Sequence, residues 1–173
     1  MHYKLAAGLI VLLAVCIQGD VCSQKRNSKM NNQPFVIKVK CRANEQCLFE
    51  GKEMFLDIGI INNQNTALEF PLEFVQKNGP IITLIDTRTK AETSLKRNIP
   101  NPDLLNKFVT IKPGESVTIE WVITAEELRR FSEEVDLSAE VKIMAEILIN
   151  GKKVESSATD TRRIVGKNKQ PIS

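Results

Sequence analysis

The chain has 173 residues, of which 42% are hydrophobic, 26% are charged and 5% are aromatic, and its formal net charge is +3. This length fits one domain with a substantial core, and the scattered, mild charge argues against a nucleic-acid surface. The single histidine, His2, lies in the N-terminal segment. The rest of the chain therefore cannot build a Ser-His-Asp or Cys-His catalytic arrangement, or a His-ligated metal or haem site.

Residues 1–23 have the pattern of a secretory signal peptide. One lysine precedes a nearly unbroken apolar run at 5–17, which is too short to span a membrane. We expect cleavage after Ser23, with Gly19 as the alternative site, and a secreted or periplasmic protein with no membrane span after cleavage. The alternatives for this segment are an uncleaved membrane anchor and a lipid anchor to the cell envelope at Cys16.

The cysteines agree with export. Cys16 and Cys22 leave with the signal peptide when cleavage follows the later site, so that Cys41 and Cys47 remain. In an oxidising compartment this pair is predicted to form a local disulfide. Cleavage at the earlier site leaves Cys22 as a third thiol. Two thiols are too few for a zinc site, and a redox pair is normally a C-x-x-C motif, so no metal is predicted.

Alternation of apolar and polar residues predicts short strands after a polar, flexible leader at 24–34. In chain order the predicted strands cover 35–41, 54–61, 67–75, 81–86, 91–95, 109–111, 117–123, 141–149 and 154–161, with 165 as an alternative end of the last strand. The 67–75 segment contains Pro71, which cannot donate to a ladder. It is therefore predicted to be an edge strand or a bulge. As an exposed edge it is also a second candidate contact surface, on which a partner could add a strand.

Turn and cap signals separate these strands. Pro113-Gly114 predicts a tight turn, and Asn150-Gly151 predicts a β-hairpin because both residues tolerate positive φ. Thr124 and Glu127 have the spacing of a capping box, which predicts one short helix near residues 124–134. The inward face of that helix is predicted to carry Leu128, Phe131 and Val135, and Trp121 on the preceding strand is predicted to pack in the core.

Eight or so short strands without a βαβ rhythm predict an all-β, antiparallel two-sheet sandwich over residues 35–165, followed by a flexible tail at 166–173. The segments FVIKVKC, EGKEMFLDIGIINNQ and FVTIKPGESVTIEWVI resemble those of immunoglobulin-like modules of bacterial secreted and surface proteins. The resemblance implies an immunoglobulin-like sandwich used for adhesion, binding or spacing, with no fixed active site. The chain departs from true immunoglobulin domains, because it lacks their Cys…Trp…Cys spacing.

Enzymatic chemistry is left only to carboxylates. Glu126-Glu127 and Glu133-Glu134 are the candidate pairs for a glycosidase-type hydrolase. The first pair also suits a helix N-terminus and the second lies at the predicted helix end, so both have a structural interpretation. No Gly-rich phosphate loop or calcium-loop spacing is present, and no cofactor is predicted.

The expected function is therefore that of a non-enzymatic binding module, an inhibitor or assembly factor, which recognises a protein partner. Its predicted contact surface is the irregular loop 96–105, because prolines lower the entropy cost of presenting a loop. Within the loop the candidate contact residues are Arg97, Ile99, Leu104 and Leu105. In the alternative interpretation, the apolar residues fold back over one end of the sandwich. A structural accessory domain without its own ligand and a carboxylate-only hydrolase are the other functions considered.

Overall fold

The computed structural model describes residues 33–99, 101–130 and 134–166. The strands within these ranges are β1 (Phe35–Cys41), β2 (Leu48–Phe49), β3 (Met54–Asn62), β4 (Leu68–Phe70), β5 (Ile81–Asp86), β6 (Glu92–Ser94), β7 (Val109–Ile111), β8 (Ser116–Ile123), β9 (Asp136–Ile149) and β10 (Lys152–Gly166). Helix α1 (Leu72–Asn78) joins β4 to β5, a 3₁₀ turn at Pro102–Leu104 precedes β7, and helix α2 (Ala125–Arg129) follows β8. The predicted signal peptide, nearly all of the leader and the tail from residue 167 lie outside the described residues.

The strands form two sheets, which confirms the predicted all-β two-sheet sandwich. One sheet has three strands in the order β1-β3-β8. The other has seven: five follow the order β2-β10-β9-β4-β7, β5 pairs with β9 on the same edge as β4, and β6 pairs with β5. Strand β9 is 14 residues long, so its first half pairs with β5 and its end pairs with β4. All described pairs are antiparallel except β2 with β10, which is parallel.

The core lies between the sheets and follows the period-2 alternation seen in the sequence. Inward residues of β1, β3 and β9 are buried while their neighbours are half-buried or exposed, and on β8 the buried residues are Ile119 and Ile123. Phe35 and Phe70 pack edge to face with ring centroids 5.3 Å apart. The other largest fully buried side chains are Leu56, Ile58, Ile60, Leu68, Ile82, Leu84, Ile111, Ile119, Ile123 and Leu128. Each such side chain contributes roughly 1.5–3 kcal/mol by leaving water.

The strand predicted at 67–75 is wrong beyond Phe70. The chain turns at Pro71 and forms helix α1, whose Val75 is buried against the core. Proline is tolerated here because the first backbone N–H groups of a helix have no intrahelical partner. The predicted edge strand around Pro71, and strand addition there, are therefore replaced by a helix.

The capping box predicted after β8 is present, but the helix that it begins is shorter than predicted. The Thr124 hydroxyl accepts a hydrogen bond from the Glu127 N–H at 3.2 Å, and the Glu127 carboxylate accepts one from the Thr124 N–H at 2.9 Å. Helix α2 nevertheless ends at Arg129, and Val135 is buried directly before β9 rather than on a helix face. Phe131 lies outside the described residues.

The predicted disulfide between Cys41 and Cys47 is confirmed, and its Cα atoms are 5.3 Å apart. Cys41 ends β1 in the three-stranded sheet, whereas Cys47 directly precedes β2 at the edge of the seven-stranded sheet. The bond therefore ties the two sheets together where the chain crosses between them. The Asn44 side chain supports the crossing by accepting a hydrogen bond from the Leu48 N–H at 2.7 Å.

Candidate functional site

The first half of loop 96–105 is anchored on the C-terminal end of α1. Arg97 donates from Nε to the Gly79 carbonyl at 3.2 Å. Asn98 donates from its side-chain amide to the Lys77 carbonyl at 2.9 Å, and its backbone N–H donates to the Asn78 carbonyl at 3.2 Å. Three hydrogen bonds thus hold the two residues that precede Ile99.

The second half of the loop is ordered by its own 3₁₀ turn. The Asn101 side chain caps this turn by accepting a hydrogen bond from the Asp103 N–H at 3.0 Å. The Leu105 N–H then donates to the Pro102 carbonyl at 3.1 Å. Residue 100 itself lies outside the described residues, so the loop is pinned on both sides of an undescribed position.

The four predicted contact residues separate into two groups. Ile99 is 94% exposed and Leu105 is 41% exposed, so both face water. Leu104 is only 7% exposed and packs inward, as the alternative interpretation of the loop expects. Arg97 is exposed but is engaged with Gly79. The loop therefore both covers part of the sandwich and presents apolar side chains, and Leu104 is not available to a partner.

Gly79, whose carbonyl accepts the hydrogen bond from Arg97, packs against Trp121. Gly79 ends α1 at φ +84°, and a Cβ built on it would meet Cη2 of Trp121 at 2.2 Å. The indole packs against the hydrophobic core, as predicted, and lies directly on the glycine that receives Arg97. Core packing therefore fixes the position of the loop.

The first of the two predicted carboxylate pairs has structural roles. Glu127 completes the capping box, and Glu126 forms an ion pair with Arg130 at 3.4 Å. Of the second pair, Glu133 lies outside the described residues and Glu134 is exposed.

A different acidic pair was missed by sequence reasoning. Asp57 on β3 and Glu120 on β8 are cross-strand neighbours, and each contacts Nη2 of Arg42 at 2.5 Å. The hydrogen bonds that Arg42 donates to Asp57 and, to a smaller extent, to Glu120 raise the pKa of Arg42 above its usual range. The guanidinium also lies 5.8 Å from the centroid of the Phe55 ring. Only the strand register reveals this cluster, because its members are far apart in sequence.

The described residues also limit other chemistry. No group of three or more His, Cys, Asp or Glu side chains among them could hold a metal ion. Within the same part of the chain, no helix has the length and apolarity needed to cross a membrane.

Comparisons with known proteins name no family for this chain. No family model and no curated protein matches it. A solved Northeast Structural Genomics Consortium target is similar at TM-score 0.44 and 10% identity, over 81% of this chain and 92% of that one. A β-glucosidase from Listeria innocua, solved in complex with isofagomine, is similar at TM-score 0.38 and 11% identity, over 78% of this chain and 16% of that one. A protein from Archaeoglobus fulgidus is similar at TM-score 0.35 and 15% identity, over 76% of this chain and 95% of that one. Scores this low support no functional argument.

Proposed function

We propose that this chain is an exported, non-enzymatic binding module that recognises a protein partner through loop 96–105. The observation that carries the proposal is the 94% exposure of Ile99 on a loop that is hydrogen-bonded to the end of α1 before Ile99 and forms its own 3₁₀ turn after it. Ordering a loop during association costs free energy, and a loop that is already ordered avoids that cost. Covering such a side chain with a partner contributes roughly 1.5–3 kcal/mol.

The surroundings of Ile99 suit a protein interface. Leu105, the second exposed apolar side chain of the loop, directly follows the 3₁₀ turn. The same loop carries the exposed charged residues Lys96 and Asp103, one of each sign. An apolar centre with a polar rim is the usual anatomy of a protein–protein contact.

Two features support export and a binding role. The buried disulfide between Cys41 and Cys47 suits an oxidising compartment. The resemblance to immunoglobulin-like modules of secreted and surface proteins supports recognition by loops on a rigid sandwich. In such a role the module serves as an inhibitor or an assembly factor.

The competing functions leave observations unexplained. A carboxylate-only hydrolase needs two acidic groups that flank the bond to be cleaved. Of two directly opposed cross-strand acidic pairs, Asp57 with Glu120 is bridged by Arg42, and Glu146 of the pair Glu146 with Glu155 is ion-paired with Lys153. A structural accessory domain without a ligand gives no role to Ile99. The binding module gives Ile99 a role and requires no pair of acidic groups around a bond.

The test is a capture experiment with the purified protein and the secreted and envelope fractions of its own source. The wild type should retain one dominant protein, and Ile99→Asp should lose it. Met144→Asp is the matched control, because Met144 is also an exposed apolar residue, 56% exposed, but lies on β9 away from the loop sequence. Equal capture by wild type and Ile99→Asp would refute the proposal.

A further inference from the structure

The outer face of the three-stranded sheet carries a glycine that the fold does not require. Gly59 lies in the middle of β3, where its strand register is continuous on both sides with Lys38 and Thr118. A Cβ added at Gly59 would meet its nearest heavy atom, the Lys38 carbonyl oxygen, at 3.6 Å, an ordinary contact. A glycine inside a strand is less stable than a residue with a side chain, and often marks a place where a ligand approaches the backbone closely.

The missing side chain leaves a depression on this face. Its volume is about 320 Å³, and it is lined by Lys38, Lys40, Asp57, Gly59, Ile61, Ser116 and Thr118. The side chains that line it are thus two lysines on β1, two hydroxyls on β8 and one carboxylate and one isoleucine on β3. This composition suits a ligand with hydroxyl groups and negative charge.

The lysines are free to bind an anion. Neither Lys38 nor Lys40 forms an ion pair with another described residue, whereas Asp57 is engaged by Arg42. Lys38 and Lys40 face the same side of β1 two residues apart, so their Cα atoms are about 7 Å apart. Arg42, the next basic residue on this side, is engaged by Asp57 and Glu120. A ligand with at least two negative charges about this far apart matches the two lysines.

We propose that this face binds an acidic polysaccharide, a sugar chain that carries carboxylate or sulfate groups. Lys38 and Lys40 pair with the anionic groups, the hydroxyls of Ser116 and Thr118 bond to sugar hydroxyls, and one ring enters the space over Gly59. An acidic peptide fits less well. Peptides bind sheets mainly through backbone pairing at an edge, and β3 is already paired on both edges.

The first experiment measures retardation of the purified protein in native gels that contain dextran sulfate, polygalacturonate or neutral dextran. Binding to at least one acidic polymer and not to neutral dextran is expected. Lys38→Ala/Lys40→Ala should weaken that binding by about tenfold or more. Lys52→Ala/Lys152→Ala removes the same charge from exposed positions elsewhere and should leave the binding unchanged. An equal loss in both double variants would overturn the proposal.

Two further variants test the depression itself. Gly59→Val should fill the depression, weaken binding by about tenfold and keep or raise the melting temperature, because valine favours strands. Thr118→Val removes only a hydroxyl and should weaken binding while the protein stays folded. The proposal fails if both folded variants bind like wild type, or if poly-glutamate is bound as tightly as the polysaccharides. Ile99→Asp should retain polysaccharide binding, so this site and the proposed protein contact can fail separately.

Discussion

The six-membered ring of Trp121 lies against the α-carbon of Gly79, so closely that an added Cβ would come within 2.2 Å of it. The same glycine has φ +84° and ends helix α1. Its carbonyl accepts the hydrogen bond from Arg97 that anchors loop 96–105. One residue without a side chain therefore joins the core, the helix and the proposed contact loop.

Gly79→Ala should destabilise the protein strongly. The substitution forces an L residue into a conformation that favours glycine and drives a methyl group into the indole of Trp121. Gly114→Ala is the matched control, since Gly114 has φ +73° but nothing within 4 Å of an added Cβ. We expect Gly79→Ala to lower the free energy of unfolding by about 1–3 kcal/mol more than the control in urea titrations. Equal losses would show that Trp121 does not restrict this position.

The fold was predictable where a local pattern coincided with tertiary packing. The alternation in 141–149 and the Thr124–Glu127 capping box both correspond to the observed elements. Helix α1 was missed because seven residues give too short a period to separate a helix from a strand. Its signals were Pro71 before it and Gly79 after it, the asymmetry expected of a helix start and end.

The candidate sites were only partly predictable. The irregular loop and its prolines pointed to 96–105, but the sequence could not show that Leu104 turns inward while Ile99 stays exposed. That outcome depends on anchors at Gly79 and Asn101, which form only in the folded chain. The depression at Gly59 depends on the register of three strands, and a single sequence does not determine that register.

The free edge of β1 is closed by side chains of β10. The Val39 N–H donates to Oδ2 of Asp160 at 2.8 Å, and the Val39 carbonyl accepts a hydrogen bond from Nε of Arg162. Asp160→Ala should leave this partly buried N–H without its acceptor and destabilise the fold by about 1–3 kcal/mol. Thr159→Ala, at the adjacent exposed position, should change the stability by less than about 0.5 kcal/mol. If the two variants unfold at the same urea concentration, the edge is not stabilised by Asp160.

Reducing the disulfide should weaken the crossing between the sheets. Closing the short loop between Cys41 and Cys47 stabilises the folded state by about 2 kcal/mol in the chain-entropy description. Urea unfolding with and without dithiothreitol should therefore differ by about that amount. The Cys41→Ala/Cys47→Ala variant should unfold at a lower urea concentration than wild type, and dithiothreitol should not change that concentration. A response that persists in this variant would assign the effect to other thiols.

Acid should weaken the turn between β5 and β6. The Asp86 carboxylate accepts hydrogen bonds from the N–H groups of Thr89 at 2.7 Å and Arg88 at 2.8 Å. The hydrogen bond from Thr89 above all lowers the pKa of Asp86 below its usual value of 3.8. Between the folded and unfolded pKa values the unfolded chain binds more protons, so stability rises with pH. The contribution is fully present once the pH is above the unfolded pKa, and it is lost as the pH falls through the lower folded pKa.

Asp86→Asn keeps an acceptor for both N–H groups but does not titrate. Its stability should therefore fall less steeply than that of wild type as the pH is lowered from 5 to 2, in thermal melts recorded at each pH. Parallel curves for the two proteins would rule out Asp86 as a source of acid sensitivity.

The central claim, that loop 96–105 contacts a protein partner, is tested most directly by a photo-crosslinking amino acid placed at position 99. The protein is irradiated in the secreted and envelope fractions of its source, and adducts are identified by mass spectrometry. We predict one dominant adduct from position 99 that is absent when the same group replaces Met144. No adduct from position 99, or the same adducts from both positions, would contradict the assignment.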